Sequence, residues 1–145
     1  MSEHIDHIFY INLEHRVDRK NEIEGELSKF GLSGERFPAI SHKIGSCGCS
    51  KSHIGVFKLA KERGYKNVLI LEDDFEFTVS KDIFEDNLKK FFEANVDYDV
   101  CFLSYNLQES ESINEHPFLL RVLKSQTASA YIVNKQYYDD LIDLR

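Results

Sequence analysis

Short, uninterrupted apolar runs alternate with stretches of helical periodicity along most of the chain. The apolar runs predict strands at 7–13, 35–40, 67–72, 98–104, 118–123 and 128–134. Apolar residues at spacings of three and four predict helices at 18–31, 50–64, 80–95 and 135–144. This alternation is typical of an α/β domain whose mostly parallel sheet is covered by helices. We therefore predict a single domain over residues 1–145.

Two polar stretches interrupt this alternation. Residues 41–50 are rich in glycine and serine, which predicts a loop. Residues 105–117 form the longest polar stretch of the chain, and we predict that they form a loop over a site.

The apolar run 67–72 ends on three consecutive acidic residues, Glu72, Asp73 and Asp74. Ligands of a parallel α/β sheet bind beyond the carboxyl ends of its strands. Because side chains alternate along a strand, Glu72 and Asp74 are expected to face one side and Asp73 the other. Two such carboxylates can share a magnesium or manganese ion, whose remaining ligands are waters and substrate phosphates. A solvated acidic turn without a metal is the alternative.

A polar turn with two arginines follows the first predicted strand, which ends near Asn12. The loop after the first strand of a doubly wound sheet usually meets the nucleotide. The planar charge of a guanidinium suits a diphosphate. We therefore predict that Arg16 and Arg19 face a diphosphate and that Asn12 hydrogen-bonds a base or ribose. The alternative is a surface helix start whose charges face water.

Two cysteines and a histidine, Cys47, Cys49 and His53, lie close together around the start of the second predicted helix. Their spacing matches no standard zinc pattern, and a fourth ligand is not evident. The small residues of this segment instead let the backbone approach a ligand at a helix start, where free N–H groups favour phosphate. For His53, a hydrogen-bonded structural role and a role in the site both remain open.

Composition and charge limit which binding partners and which cellular locations we expect for the protein. The net charge of -7 argues against nonspecific binding of nucleic acid. No apolar run is long enough to span a bilayer, and the first residues do not resemble a secretory signal. Three cysteines are an odd number, which fits a reducing compartment better than a disulfide framework. These features predict a cytoplasmic protein.

Several segments, taken in order, resemble glycosyltransferase family 25. They are "FYINLEHRVDRK", "ERFPAI", "GCSKSHIGVFKLAKERGYKNVLILEDDFEF", "YDVCFLS" and "TASAYIVNKQYYDDL". The resemblance covers about residues 5–144. The family includes bacterial lipooligosaccharide galactosyltransferases and the procollagen galactosyltransferases. The resemblance implies a GT-A fold with a Rossmann-like sheet, a UDP-sugar donor and inversion at the anomeric carbon.

The resemblance also implies roles for individual residues. Glu72 and Asp74 are implied as the metal ligands, because "EDD" is the counterpart of the DxD signature of GT-A enzymes. The implied cofactor is manganese or magnesium. The residues implied at the donor site are Asn12, Arg16, Arg19, His53, Glu72 and Asp73.

The implied function is metal-dependent transfer of a sugar, with galactose expected, to a saccharide or hydroxylysine-type acceptor. Inversion needs a general base, which we do not identify; acidic residues of 105–117 and His116 are candidates. GT-A enzymes are usually longer than this chain of 145 residues, so we expect a domain that is short or truncated on the acceptor side. The alternatives are a nucleotide-sugar-binding domain without the base and a scaffold that keeps only the fold.

Overall fold

The structure is a computed structural model that describes residues 4–39, 45–77, 80–112 and 120–143. Within these ranges, only the backbone is described for 45–50, 102, 104–112, 120–129 and 143.

Five strands form one mixed sheet in the order β2-β1-β3-β5-β4. The strands are β1 (His7–Asn12), β2 (Glu35–Pro38), β3 (Asn67–Glu72), β4 (Val100–Ser112) and β5 (Leu120–Asn134). Strand β1 pairs in parallel with β2 and β3, whereas β5 pairs antiparallel with β3 and β4. Of these five strands, four therefore run in one direction and β5 runs against them. This arrangement confirms the predicted α/β domain with a mostly parallel sheet.

Helices cover both faces of the sheet. They are α1 (Val17–Lys29), α2 (Gly45–Arg63), α3 (Lys81–Glu93) and α4 (Tyr138–Asp143), the last entered through a 3-10 turn at Lys135–Tyr137. In the part of the chain that the structure describes, none of them has the length and apolar character needed to cross a membrane.

The alternating side chains of β1 explain why its sequence is apolar throughout. Ile8 and Tyr10 belong to a core cluster that includes residues of α1 and α3. Phe9 and Ile11 belong to a second cluster, formed with residues of α2 and α4. A strand with a hydrophobic layer on each face reads as a continuous apolar run, as buried parallel strands do. The two clusters thus place β1 and β3 at the centre of a three-layer domain.

Helix α2 begins at Gly45, so the prediction of a loop over 41–50 is wrong for residues 45–50. Glycine and serine only lower helix propensity, by up to about 1 kcal/mol each, and do not forbid a helix as proline does. Residue 50, where the second helix was predicted to begin, therefore lies inside α2. Residues 41–44 lie outside the described ranges.

Strands β4 and β5 are longer than predicted and pair with each other as a hairpin. Residues 105–112 were expected in a loop but belong to β4. The described residues of the two strands predicted at 118–123 and 128–134 belong to the single strand β5. The register pairs Glu109 with Lys124 and Glu111 with Arg121. In the backbone pairing, polar residues here continue a strand that the apolar pattern does not reveal. Residues 113–117 lie outside the described part of the chain.

Helix α2 lies close to β2 at Gly55. A Cβ atom at this position would lie 2.6 Å from Cζ of Phe37, which is closer than carbon atoms pack. The absence of a side chain at Gly55 therefore allows the approach.

We predict that Gly55→Ala destabilises the protein. Overpacking against Phe37 is expected to cost about 1–3 kcal/mol, whereas the higher helix propensity of alanine gains about 1 kcal/mol. A net loss of about 1 kcal/mol in the free energy of unfolding follows, measurable by urea denaturation. The matched control is Gly25→Ala in α1, where a Cβ would have no neighbour within 4 Å and only the gain applies. Stabilisation by both substitutions would contradict the close contact.

Candidate functional site

The turns that follow β1 and β3 meet at one edge of the sheet. Ile11, one residue before the end of β1, is in register with Glu72, the last residue of β3. Because the two strands are parallel and adjacent, the arginine-containing turn after Asn12 lies beside the acidic turn after Glu72. The carboxyl edge of the sheet therefore collects the residues that the sequence singled out from two distant segments.

Asn12 is the centre of a hydrogen-bonded group at this edge, and its side chain is almost fully buried, with 1% of the residue exposed. Its Nδ2 donates to Oδ2 of Asp73 at 2.9 Å and to the backbone oxygen of Arg16 at 3.0 Å. Its Oδ1 accepts from Nε of Arg36 at 3.0 Å, and Nη2 of Arg36 donates to its backbone oxygen at 3.0 Å. A guanidinium only donates and an ionised carboxylate only accepts, so one orientation of the amide satisfies both neighbours.

Asp73 is turned into the protein. Its side chain is 13% exposed, and its Oδ1 lies 3.5 Å from Nη1 of Arg19. Strand β3 ends at Glu72, and the backbone N–H of Phe75 donates to the Glu72 carbonyl at 3.1 Å, which makes Asp73 and Asp74 part of a turn. The predicted strand-like alternation of the three carboxylates therefore stops at Glu72. Hydrogen bonds to Asn12, rather than the pleat of the strand, orient Asp73.

Glu72 lies next to an imidazole from α2. Its Oε1 is 3.6 Å from Nε2 of His53, which is an ion-pair distance if the imidazole is protonated and too long for a hydrogen bond. The other ring nitrogen of His53, Nδ1, shares a hydrogen bond with the hydroxyl of Tyr131 on β5. The two rings are also stacked, with centroids 5.6 Å apart. The structure thus joins α2, β3 and β5 at the acidic end of β3.

Arg16 and Asp74 lie outside the group of side chains that Asn12 joins. Arg16 donates from Nε and Nη2 to the two carboxylate oxygens of Asp18, each at 3.0 Å. These hydrogen bonds lower the pKa of Asp18 to about 2 and raise the pKa of Arg16. Asp74 is exposed, and its side chain has no hydrogen bond or ion pair within the described residues. An exposed pair such as Arg16–Asp18 contributes little to stability, so Arg16 can exchange its partner for another anion.

Two residues of the group were missed in the sequence. Arg36 lies in β2, in register with Tyr10, and its position in a short strand gave no sign that it reaches Asn12. Tyr131 lies in an apolar strand and was included only as part of it. A hydroxyl inside an apolar run was the one available signal, because a buried phenol needs a hydrogen-bond partner.

Other predicted residues cannot be placed. The side chains of Cys47 and Cys49 are not among those described, and His116 lies outside the described ranges. The general base of the predicted reaction therefore stays unidentified.

The carboxylates described at this strand end are ligands of the kind that a hard divalent cation uses. Among the described residues, no group of three or more His, Cys, Asp or Glu side chains is arranged to hold a metal ion. With Asp73 held by Asn12 and Arg19, the carboxylates left at the strand end are those of Glu72 and Asp74. Magnesium is commonly bound through one or two carboxylates together with waters and substrate phosphates, and manganese also suits such oxygen ligands. Structural zinc needs four protein ligands.

Comparisons with known proteins point to one family. The family model described as "Glycosyltransferase family 25 (LPS biosynthesis protein)" matches residues 44–144. A protein of Drosophila pseudoobscura pseudoobscura named "Glycosyltransferase 25 family member" is 32% identical over 101 residues, covering 50% of this chain and 16% of the relative. A Drosophila melanogaster protein of the same name is 29% identical, with the same coverage. The chain thus spans about a sixth of the length of these curated relatives.

Among solved structures, the chain is similar to a Bacillus anthracis protein named for glucose-1-phosphate thymidylyltransferase, in complex with sucrose. The TM-score is 0.49 and the sequence identity 12%, over 94% of this chain and 56% of the other.

We predict that Asn12→Leu strongly destabilises the protein. The substitution leaves the inward oxygen of Asp73 without the amide donor and Nε of Arg36 without its acceptor, whereas Nη2 of Arg36 keeps the backbone oxygen. The expected loss in the free energy of unfolding is about 3 kcal/mol. Urea denaturation measures this loss. The matched control is Asn67→Leu, at an asparagine that is also buried but bonds the neutral backbone groups of Asp6 and His4.

For Asn67→Leu, the expected loss is only about 1 kcal/mol, because its partners are uncharged. Equal losses for the two variants would show that the charged neighbours of Asn12 do not depend on its amide.

Proposed function

Because the chain belongs to glycosyltransferase family 25, we propose that it takes part in the transfer of a sugar from a nucleotide-sugar donor. The donor site is the carboxyl edge of the sheet. The observation that carries this proposal is the meeting of an acidic strand end with a basic turn, joined through the buried Asn12. An anionic diphosphate and a divalent cation need both signs of charge within one small site.

In this proposal, the donor is a UDP-sugar, with galactose as the sugar, and the cofactor is manganese or magnesium. Glu72 and Asp74 are the cation ligands, since they flank Asp73 and are not used by Asn12 or Arg19. A bound divalent cation would neutralise charge on the leaving diphosphate without a proton transfer.

Arg16 and Arg19 act on the diphosphate side of the site. Arg16 is held by an exposed pair with Asp18, and Arg19 by a 3.5 Å contact to Asp73 with 41% of its side chain exposed. The exposed pair of Arg16 with Asp18 contributes at most about 1 kcal/mol and does not keep that guanidinium from a phosphate. Arg19 contacts Asp73 through Nη1 while part of its side chain stays exposed. Both arginines can therefore stabilise negative charge that develops during transfer.

His53 acts on the carboxylate of Glu72 rather than on the sugar. It lies 3.6 Å from Glu72 on one side and is hydrogen-bonded to Tyr131 on the other. A ring fixed from both sides limits the positions that the Glu72 carboxylate can take. We assign His53 to the donor site through this contact.

Sugar transfer also needs an acceptor and a general base. An inverting transfer needs a base beside the acceptor hydroxyl, and the acceptor in this account is a saccharide or a hydroxylysine-type residue. Donor binding without transfer is the second candidate function. It is favoured by the fact that the side chains assigned above, all within the described ranges, are donor-side groups.

We predict that Asp74→Asn abolishes most manganese-dependent binding of UDP while the protein stays folded. The loss in affinity should be at least about tenfold, because even residues that only support metal ligands change affinity by about 10–100-fold. Isothermal titration of UDP with and without manganese measures it, and thermal unfolding checks the fold. The matched control is Asp140→Asn in α4, which is also an exposed residue. Helix α4 follows the end of β5, and this end of β5 pairs with the start of β3, so Asp140 lies away from the acidic turn. Unchanged UDP affinity in Asp74→Asn would overturn the assignment of the cation ligands.

We also predict that the protein, supplied with UDP-galactose and manganese, releases UDP faster when a suitable acceptor is added. The two candidate functions differ on this point, since both require donor binding but only transfer consumes the donor in proportion to acceptor. A coupled assay of UDP, run with lipooligosaccharide-derived saccharides and with hydroxylysine peptides, measures the rate. Donor binding with no acceptor-dependent release across this panel would contradict transfer and leave the second candidate function.

A further inference from the structure

We propose that Arg36 of β2 is a positioning residue for the donor site, acting through Asn12 and Asp73. The proposal rests on the function proposed above for the carboxyl edge. It also gives Asp73 a different part from its two neighbours: Asp73 orients the acidic turn from inside the protein, whereas Glu72 and Asp74 face the donor.

Arg36 holds Asn12 at two points. Nε donates to the side-chain oxygen and Nη2 to the backbone oxygen of the same residue, both at 3.0 Å. Two donors with a fixed angle between them fix the side chain and the end of β1 together, which the single point charge of a lysine cannot do. The half-buried position of Arg36 on β2 supports this geometry from the neighbouring strand.

Asn12 transmits this constraint to Asp73. While its oxygen faces Arg36, its nitrogen must face Asp73, to which it donates at 2.9 Å. Without Arg36, Nδ2 keeps its acceptors at Asp73 and Arg16, but the buried Oδ1 loses its donor. A buried acceptor without a partner is costly, so the amide and the end of β1 shift to find another donor and the contact with Asp73 changes. The orientation of Asp73 in the turn after β3 is therefore coupled to a guanidinium that does not touch it in any described hydrogen bond.

The position of Asp73 in turn affects whether Glu72 and Asp74 can bind a cation. It is the middle residue of three adjacent carboxylates, and its contacts with Asn12 and Arg19 hold it on the inner side of the turn. With Asp73 fixed there, Glu72 and Asp74 remain for a cation outside. If Asp73 swings outward, three negative charges share the same space and the spacing of the two outer carboxylates changes.

The first residue of β2, Glu35, offers a matched control. Arg63 makes a comparable two-point contact, donating to the carboxylate oxygens of Glu35 at 2.6 and 3.0 Å. Glu35 is the residue before Arg36, but its carboxylate also meets His7 at the start of β1, away from the acidic turn. Arg63→Lys therefore removes the same kind of contact without reaching Asn12.

The test compares Arg36→Lys, Arg63→Lys and the unaltered protein by isothermal titration of UDP with manganese. We expect Arg36→Lys to weaken the manganese-dependent affinity by about tenfold and Arg63→Lys to leave it unchanged, although both lower the unfolding temperature. A purely structural role of Arg36 would change the unfolding temperature alone. Unchanged affinity in Arg36→Lys, with binding by the unaltered protein, would overturn the inference and leave the proposed function intact.

A second measurement does not depend on donor binding. Arg36→Lys and Asp73→Asn are combined, and the unfolding temperatures of the two single variants and the double variant are compared without ligand. If the two residues act through Asn12, the shift of the double variant is smaller than the sum of the single shifts. Additive shifts would overturn the link between Arg36 and Asp73. Failure of the unaltered protein to bind UDP would count against the proposed function, while this comparison would still decide the inference.

Discussion

The site depends on the hydrogen bonds of one buried asparagine. Asn12 ends the central strand β1, and its amide and backbone oxygen connect β2, through Arg36, to the turn after β3, through Asp73. A buried amide is tolerated only when its donors and acceptor have hydrogen-bond partners. Here a carboxylate, that of Asp73, accepts from Nδ2, and a guanidinium, that of Arg36, donates to Oδ1. The apolar layers on both sides of β1 keep water away and so make this matching strict.

The same hydrogen bonds reduce the repulsion among three consecutive carboxylates. Asp73 is directed inward to an amide and a guanidinium, Glu72 lies beside His53, and Asp74 is exposed. The three carboxylates therefore point in different directions even though they are adjacent in sequence. This separation leaves two carboxylates on the outer side of the turn, next to arginines that suit a diphosphate.

Sequence patterns predicted the parts of this architecture that depend on local order. The apolar runs located β1 and β3, and the parallel arrangement then required their ends, with Asn12 and Glu72, to meet at one edge. Patterns could not predict the partners, because Arg36 and Tyr131 reach the site through strand register and helix position rather than through neighbours in sequence. They also missed the start of α2 at Gly45 and the polar half of the β4–β5 hairpin, where tertiary pairing outweighs weak local preference.

The most direct test of the central claim, a donor site at the carboxyl edge of the sheet, is paramagnetic broadening of backbone amide NMR signals by manganese in the presence of UDP. Broadening falls steeply with distance from the ion, so it reports where the ion is bound. The account predicts strong broadening for residues 72–75 and 12–19, and little for residues 5–8 and 31–35 at the opposite edge. Broadening centred on the opposite edge, or no localised broadening at all, would contradict it.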